Sequence, residues 1–158
     1  MKNIRLIWPV LVLLLLCACG GTDSGSKAAY SAQNAQDLID AGAFTGEMEE
    51  VDGDVAAALY GLDADTVAEC RCFMAVNTAV SADEVTVLVL TDEKAADAAV
   101  AACKARVDSQ IESCTDYAPA AIPGLENAVI LQRGCTVLFA VGDPDKLPQA
   151  LSELALAN

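Results

Sequence analysis

Residues 84–114, EVTVLVLTDEKAADAAVAACKARVDSQIESC, change hydrophobic period part-way along, and that change decides the fold. Glu84 to Leu90 is a β-branched and aliphatic run bounded by polar loops, which predicts a strand. Beyond it Ala96, Val100, Cys103, Val107, Ile111 and Cys114 recur at intervals of three and four, with Asp97, Lys104, Asp108 and Glu112 between them. That spacing predicts a long amphipathic helix with one stripe against a sheet. Thr91 is the expected cap, and Asp92 and Glu93 stand in a first turn where negative charge is favoured.

Upstream, Ala68, Cys70, Cys72, Met74 and Val76 alternate with Glu69 and Arg71, the period of a half-buried strand whose apolar side carries the two cysteines. A polar loop through Asn77, Ser81 and Asp83 joins it to 84–90 as an antiparallel hairpin. Downstream of Pro119 and Pro123, residues 127–132 and 135–141 form two more apolar strands around Arg133 and Gly134, the spacing of a tight turn. Short helices are expected at 32–41, where Ala35, Leu38 and Ile39 share a face and Gly42 stops the helix, at 55–60 between an Asp54 cap and Gly61, and at 147–156. The order implies an α+β fold: a four-stranded, mainly antiparallel sheet of two hairpins, one long helix packed on a face, and short flanking helices.

The first eighteen residues read as a signal peptide. Lys2 and Arg5 precede an apolar run, Leu6 to Leu16, about half the length needed to cross a bilayer and interrupted by Pro9. Leu16, Cys17, Ala18 and Cys19 match the bacterial lipobox, with an aliphatic residue three before the modified cysteine and a small one directly before it. Cys19 is therefore the expected lipidation site, bearing diacylglyceryl chains of the palmitate kind that hold a protein stably at a membrane where one chain would not. Residues 19–29 are the lipidated cysteine and a flexible tether, of which 20–27 reach at most about 28 Å. One α+β domain is expected over 30–158.

Losing Lys2 and Arg5 takes the formal net charge from −14 to −16, so nucleic acid is not an expected partner. The chain contains no histidine, which removes histidine-based triads and metal sites. Ser24 and Lys27 reproduce a Ser-x-x-Lys spacing inside the tether, where nothing positions a nucleophile. Asp52, Gly53, Asp54, Asp63 and Asp65 fit capping and turn formation better than any calcium loop. No catalytic residue, cofactor or metal is expected.

Five cysteines remain besides Cys17 and Cys19: Cys70, Cys72, Cys103, Cys114 and Cys135. Cys70 and Cys72 form a Cys-x-Cys pair that invites a thiol redox or metal reading, yet both fall on the side predicted to be core, where a thiol behaves as a small hydrophobe. Cys103 and Cys114 lie eleven residues apart on one helix, about 16 Å, beyond disulfide reach. Cys135, opening a strand, could meet Cys70 or Cys72 across the sheet, depending on register.

Taken in order and spacing, Tyr60 and Gly61, the Ala82-Asp83-Glu84 opening of the second strand, Arg106 and Gln110, Tyr117 and Pro119, Leu125, Asn127 and Ala128, and Gly134 resemble a family of short bacterial lipoproteins known as domain of unknown function 4358. The resemblance covers roughly residues 30–142. It implies an envelope lipoprotein and brings no activity, cofactor or catalytic residue with it, and the five cysteines are not part of its pattern. Arg106 and Gln110, one helical turn apart on the flank of the buried stripe, with Tyr117 at the helix end and Asn127 beyond, are the candidates for lining a small polar cleft. The expected function is a non-enzymatic, membrane-anchored module that binds an envelope protein, peptide or small ligand outside the cytoplasm. The alternative is a thiol redox or metal-binding protein acting through Cys70 and Cys72.

Overall fold

The structure, a computed structural model, describes residues 28–157. The expected signal peptide, the expected lipidation site at Cys19 and most of the expected tether, including Ser24 and Lys27, lie outside the described residues. Within them the chain runs α1 (Gln33–Asp40), β1 (Met48–Val51), α2 (Gly53–Leu59), β2 (Val67–Ala75), β3 (Glu84–Leu90), α3 (Glu93–Tyr117), α4 (Ile122–Glu126), β4 (Val129–Arg133), β5 (Thr136–Val141) and α5 (Leu147–Ala157), with 3-10 turns at Ala64–Thr66 and Pro119–Ala121.

The α+β class, the antiparallel sheet and the long helix are as the sequence implies, but the sheet has five strands, ordered β1-β2-β3-β5-β4 and antiparallel throughout. The fifth is β1, a four-residue edge strand reading Met-Glu-Glu-Val. Two adjacent acids hide its period, and such charge is a usual protection for an exposed edge. Both faces of the sheet are covered. Phe73, Val85, Val87, Leu138 and Ala140 pack against Leu38 of α1 and Leu147, Ala150 and Leu154 of α5. Leu88, Leu90, Val137, Phe139 and Val141 pack on the other side against Ala96, Ala99 and Cys103 of α3 and Leu125 of α4. Central strands β3 and β5 are buried almost end to end, which is why they read as continuous apolar runs.

Several local readings shift. Asp92, not Thr91, caps α3, its carboxylate accepting from Ala95 N at 2.7 Å. Asp52, not Asp54, caps α2, accepting from the backbone N–H groups of Asp54 and Val55 at 3.0 and 3.3 Å. The buried stripe of α3 is centred on Ala96, Ala99 and Cys103, while Val100, Val107, Ile111 and Cys114 pack at its margin. Val76 lies past the end of β2 and is about half exposed, at 49%. The tight turn between β4 and β5 is Gly134-Cys135, since Arg133 pairs with Thr136. Gly134 takes φ +56° while Cys135 stays at negative φ, the pattern of a type II′ turn whose twist suits a hairpin.

Candidate functional site

Glu84 opens β3, and the two-residue period puts Glu84, Thr86 and Leu88 on the face that meets α2 and α3. An acid there is taken out of water and needs a cation and hydrogen bonds to be tolerated. Arg106, on the flank of α3, provides both. Its Nε lies 2.9 and 3.0 Å from the two Glu84 oxygens and its Nη2 2.7 Å from Oε2, with side-chain exposures of 16% for Arg106 and 2% for Glu84. Tyr60, the residue that ends α2, donates a short hydrogen bond to Glu84 Oε1, and its hydroxyl lies 2.8 Å from Thr86 Oγ1. The Arg106 guanidinium stacks over the Tyr60 ring at 5.3 Å, and the Tyr60 ring meets Phe139 edge-on at 5.9 Å.

Gln110, one turn after Arg106, reaches the same carboxylate with Nε2 at 3.5 Å. Its Oε1 is buried and is the one such side-chain atom among the described residues left without a partner. An orphaned acceptor of this kind costs on the order of 1–3 kcal/mol. Beside the cluster, between the end of α2 and α3, a cleft of about 370 Å³ is lined by Leu59, Tyr60, Gly61, Ala105, Arg106 and Gln110. Burial pushes the Tyr60 hydroxyl well above its ordinary pKa of 10.0, and the charge of Glu84 adds to the effect, so Tyr60 stays neutral. Burial pulls Arg106 down, but the hydrogen bonds and charge of Glu84 outweigh it and the guanidinium ends above its ordinary value.

Residues 40–142 match a family described as a domain of unknown function, DUF4358. The chain belongs to that family. No curated protein and no solved structure matches it. The DUF4358 match spans all five strands and α2 to α4, so the whole Tyr60–Glu84–Arg106–Gln110 cluster lies inside it, and α5 lies beyond.

Of the four residues expected to line a polar cleft in this DUF4358 domain, the structure brings Arg106 and Gln110 together and separates the other two. Tyr117 is 87% exposed at the C-terminal end of α3. Asn127 uses its Nδ2 to close α4, donating to Pro123 O at 2.7 Å. The members missed were Tyr60, Thr86 and above all Glu84. The available signal was an acid on the inward side of an otherwise apolar strand, which demands a cation from the facing helix.

Cys70 and Cys72 do face α2 and α3, as their side of the strand implies. Burial, with Asp52 and Asp54 nearby, pushes the Cys70 thiol up to about 11, and burial pushes Cys72 and Cys103 up to about 12. All five described cysteines are free thiols. Cys135 sits in the β4–β5 turn, and β3 lies between β5 and β2, so no register brings it against Cys70 or Cys72. Among the described residues no group of three or more His, Cys, Asp or Glu is placed to hold a metal ion. At Asp52-Gly53-Asp54 the glycine has a packing reason, because a Cβ at Gly53 would stand 2.8 Å from Cys70 O. Asp63 caps the 3-10 turn that contains Asp65, accepting from Asp65 N at 3.2 Å. No helix among the described residues is long and apolar enough to cross a membrane.

Proposed function

We propose that the protein is a lipid-anchored extracytoplasmic module that binds a peptide, protein or small ligand at the cell envelope and carries out no covalent chemistry. The anchoring half rests on sequence: the basic start at Lys2 and Arg5, the short apolar run, and the Leu16-Cys17-Ala18-Cys19 lipobox. The binding half rests on one observation of the fold. The ionisable groups gathered beside the cleft are spent on holding the fold together, while the cleft itself stays open. Glu84 and Arg106 close on each other, Tyr60 is held neutral, and Cys70, Cys72 and Cys103 are held as thiols far above neutral pH. The same raised thiols leave a redox or metal role for Cys70 and Cys72 with less support, because the thiolate is the reactive and ligating form.

Membrane fractionation of cells fed labelled palmitate tests the anchoring. The native chain is expected in the membrane fraction carrying label, and Cys19→Ala is expected to lose the label and either leave the membrane or keep its leader. An unlipidated N-terminus in the intact mass of native material overturns it.

A further inference from the structure

We propose that the cleft between the end of α2 and α3 takes a neutral amide flanked by small apolar groups, the unit that repeats along a peptide, held by Arg106 and Gln110. This rests on the binding role above and supplies its ligand class. The bonds to Glu84 use Arg106 Nε and Nη2, which leaves Nη1 with no partner among the described residues. One turn along, Gln110 holds Glu84 through Nε2 and leaves Oε1 unsatisfied. One donor and one acceptor without a partner among the described residues are therefore carried, a helical turn apart, by two residues that line the same cleft, with Oε1 itself buried. An amide answers both: its carbonyl accepts from Nη1, and its N–H donates to Oε1 once the Gln110 side chain turns that buried atom outward, giving up its 3.5 Å contact with Glu84.

A carboxylate fits worse. The positive charge of Arg106 is already balanced by Glu84, and an incoming anion would face Gln110 Oε1 inside a chain of net charge −14. The rest of the wall suits an apolar flank: Ala58, Ala102 and Ala105 are small and Leu59 is 47% exposed. Within about 370 Å³ there is room for an amide and its two neighbouring side chains if these are short.

The test is a titration of the full chain in detergent with N-acetyl-dialanine amide and, separately, with propionate, read by NMR at the Arg106 Nε–H and the Gly61 backbone N–H. The amide is expected to move both resonances to saturation, and propionate to move neither. Gln110→Leu is expected to weaken the amide about tenfold, the factor for one lost hydrogen bond. Ala105→Phe, placed on an exposed position to fill the cleft, is expected to abolish the shifts with the fold intact. Propionate binding as well as the amide, an unsaturable amide titration, or Gln110→Leu binding unchanged overturns the proposal. These readouts do not depend on membrane location, so failure here leaves the anchoring untouched, and failed acylation leaves this site untouched.

Discussion

Two arginine–glutamate pairs brace this sheet, and water reaches them very differently. Arg71 of β2 reaches Glu50 of β1 through one contact of 3.1 Å, with side-chain exposures of 28% and 56%, and its guanidinium stacks 5.1 Å over Phe73. Arg106 also stacks on an aromatic ring, at 5.3 Å from Tyr60, but grips Glu84 with three contacts at 16% and 2% exposure. With the same residue types and a similar ring contact, burial and the number of contacts set the two pairs apart. In the exposed pair, water competes for both charges; in the buried one, neither charge can do without the other.

The largest expected effect follows directly. Glu84→Ala leaves Arg106 without its counter-charge and Tyr60 with Thr86 Oγ1 alone as acceptor, and should cost about 3–5 kcal/mol in urea unfolding. The comparison sharpens in the double variant Glu84→Leu with Arg106→Leu, which removes both charges and should recover much of that loss. A loss under about 1 kcal/mol for Glu84→Ala would put the buried pair in the same class as the exposed one.

The same contrast explains what the sequence could reveal. Period decided the elements: the alternation in 67–76 formed a strand as far as Ala75, and the run at 84–90 and the three-four spacing of α3 correspond to what formed. β1 escaped because an edge strand of four residues with Glu49 and Glu50 in its middle has no apolar period to detect. Arg106 and Gln110 were legible as one face of a helix, since their spacing is local. Glu84 was not, because its partners lie 22 and 24 residues away and meet it only once α2 and α3 settle on the sheet. Tyr117 and Asn127 stand near that helix in sequence, but Tyr117 is exposed at the end of α3 and Asn127 closes α4, apart from the Arg106–Gln110 cleft.

Alkaline pH tests burial on groups that carry no charge in the fold. Cys70, Cys72 and Cys103 rise from an ordinary 9.0 to about 11, 12 and 12, so folding favours the protonated thiols. The sign follows: their contribution is fully present below pH 9 and is lost as pH rises toward 11–12. Melting temperature should therefore fall steadily above pH 9 with the disulfide-free protein, and iodoacetamide at pH 8 should label these three cysteines only after denaturation. Fast labelling of Cys70 or Cys72 in the folded chain would break the reading and put the thiol alternative first.

The smallest effect belongs to the exposed pair. In Arg71→Ala the carboxylate of Glu50, 56% exposed, simply returns to water, so no uncompensated charge is created. What goes is a screened attraction and the guanidinium's cover over Phe73, together under about 1 kcal/mol. The two parts separate with salt. The ionic part should fade as ionic strength rises to 1 M, where screening acts within about 3 Å, while the packing part over Phe73 persists. Arg71→Met keeps the stem and drops the guanidinium, so it should lose the salt-sensitive share and the guanidinium's contact with Phe73 while the packing of the stem persists. A large, salt-independent cost for Arg71→Met would show that the β1–β2 edge is far drier than the exposure of Glu50 implies, and would erase the contrast with Glu84.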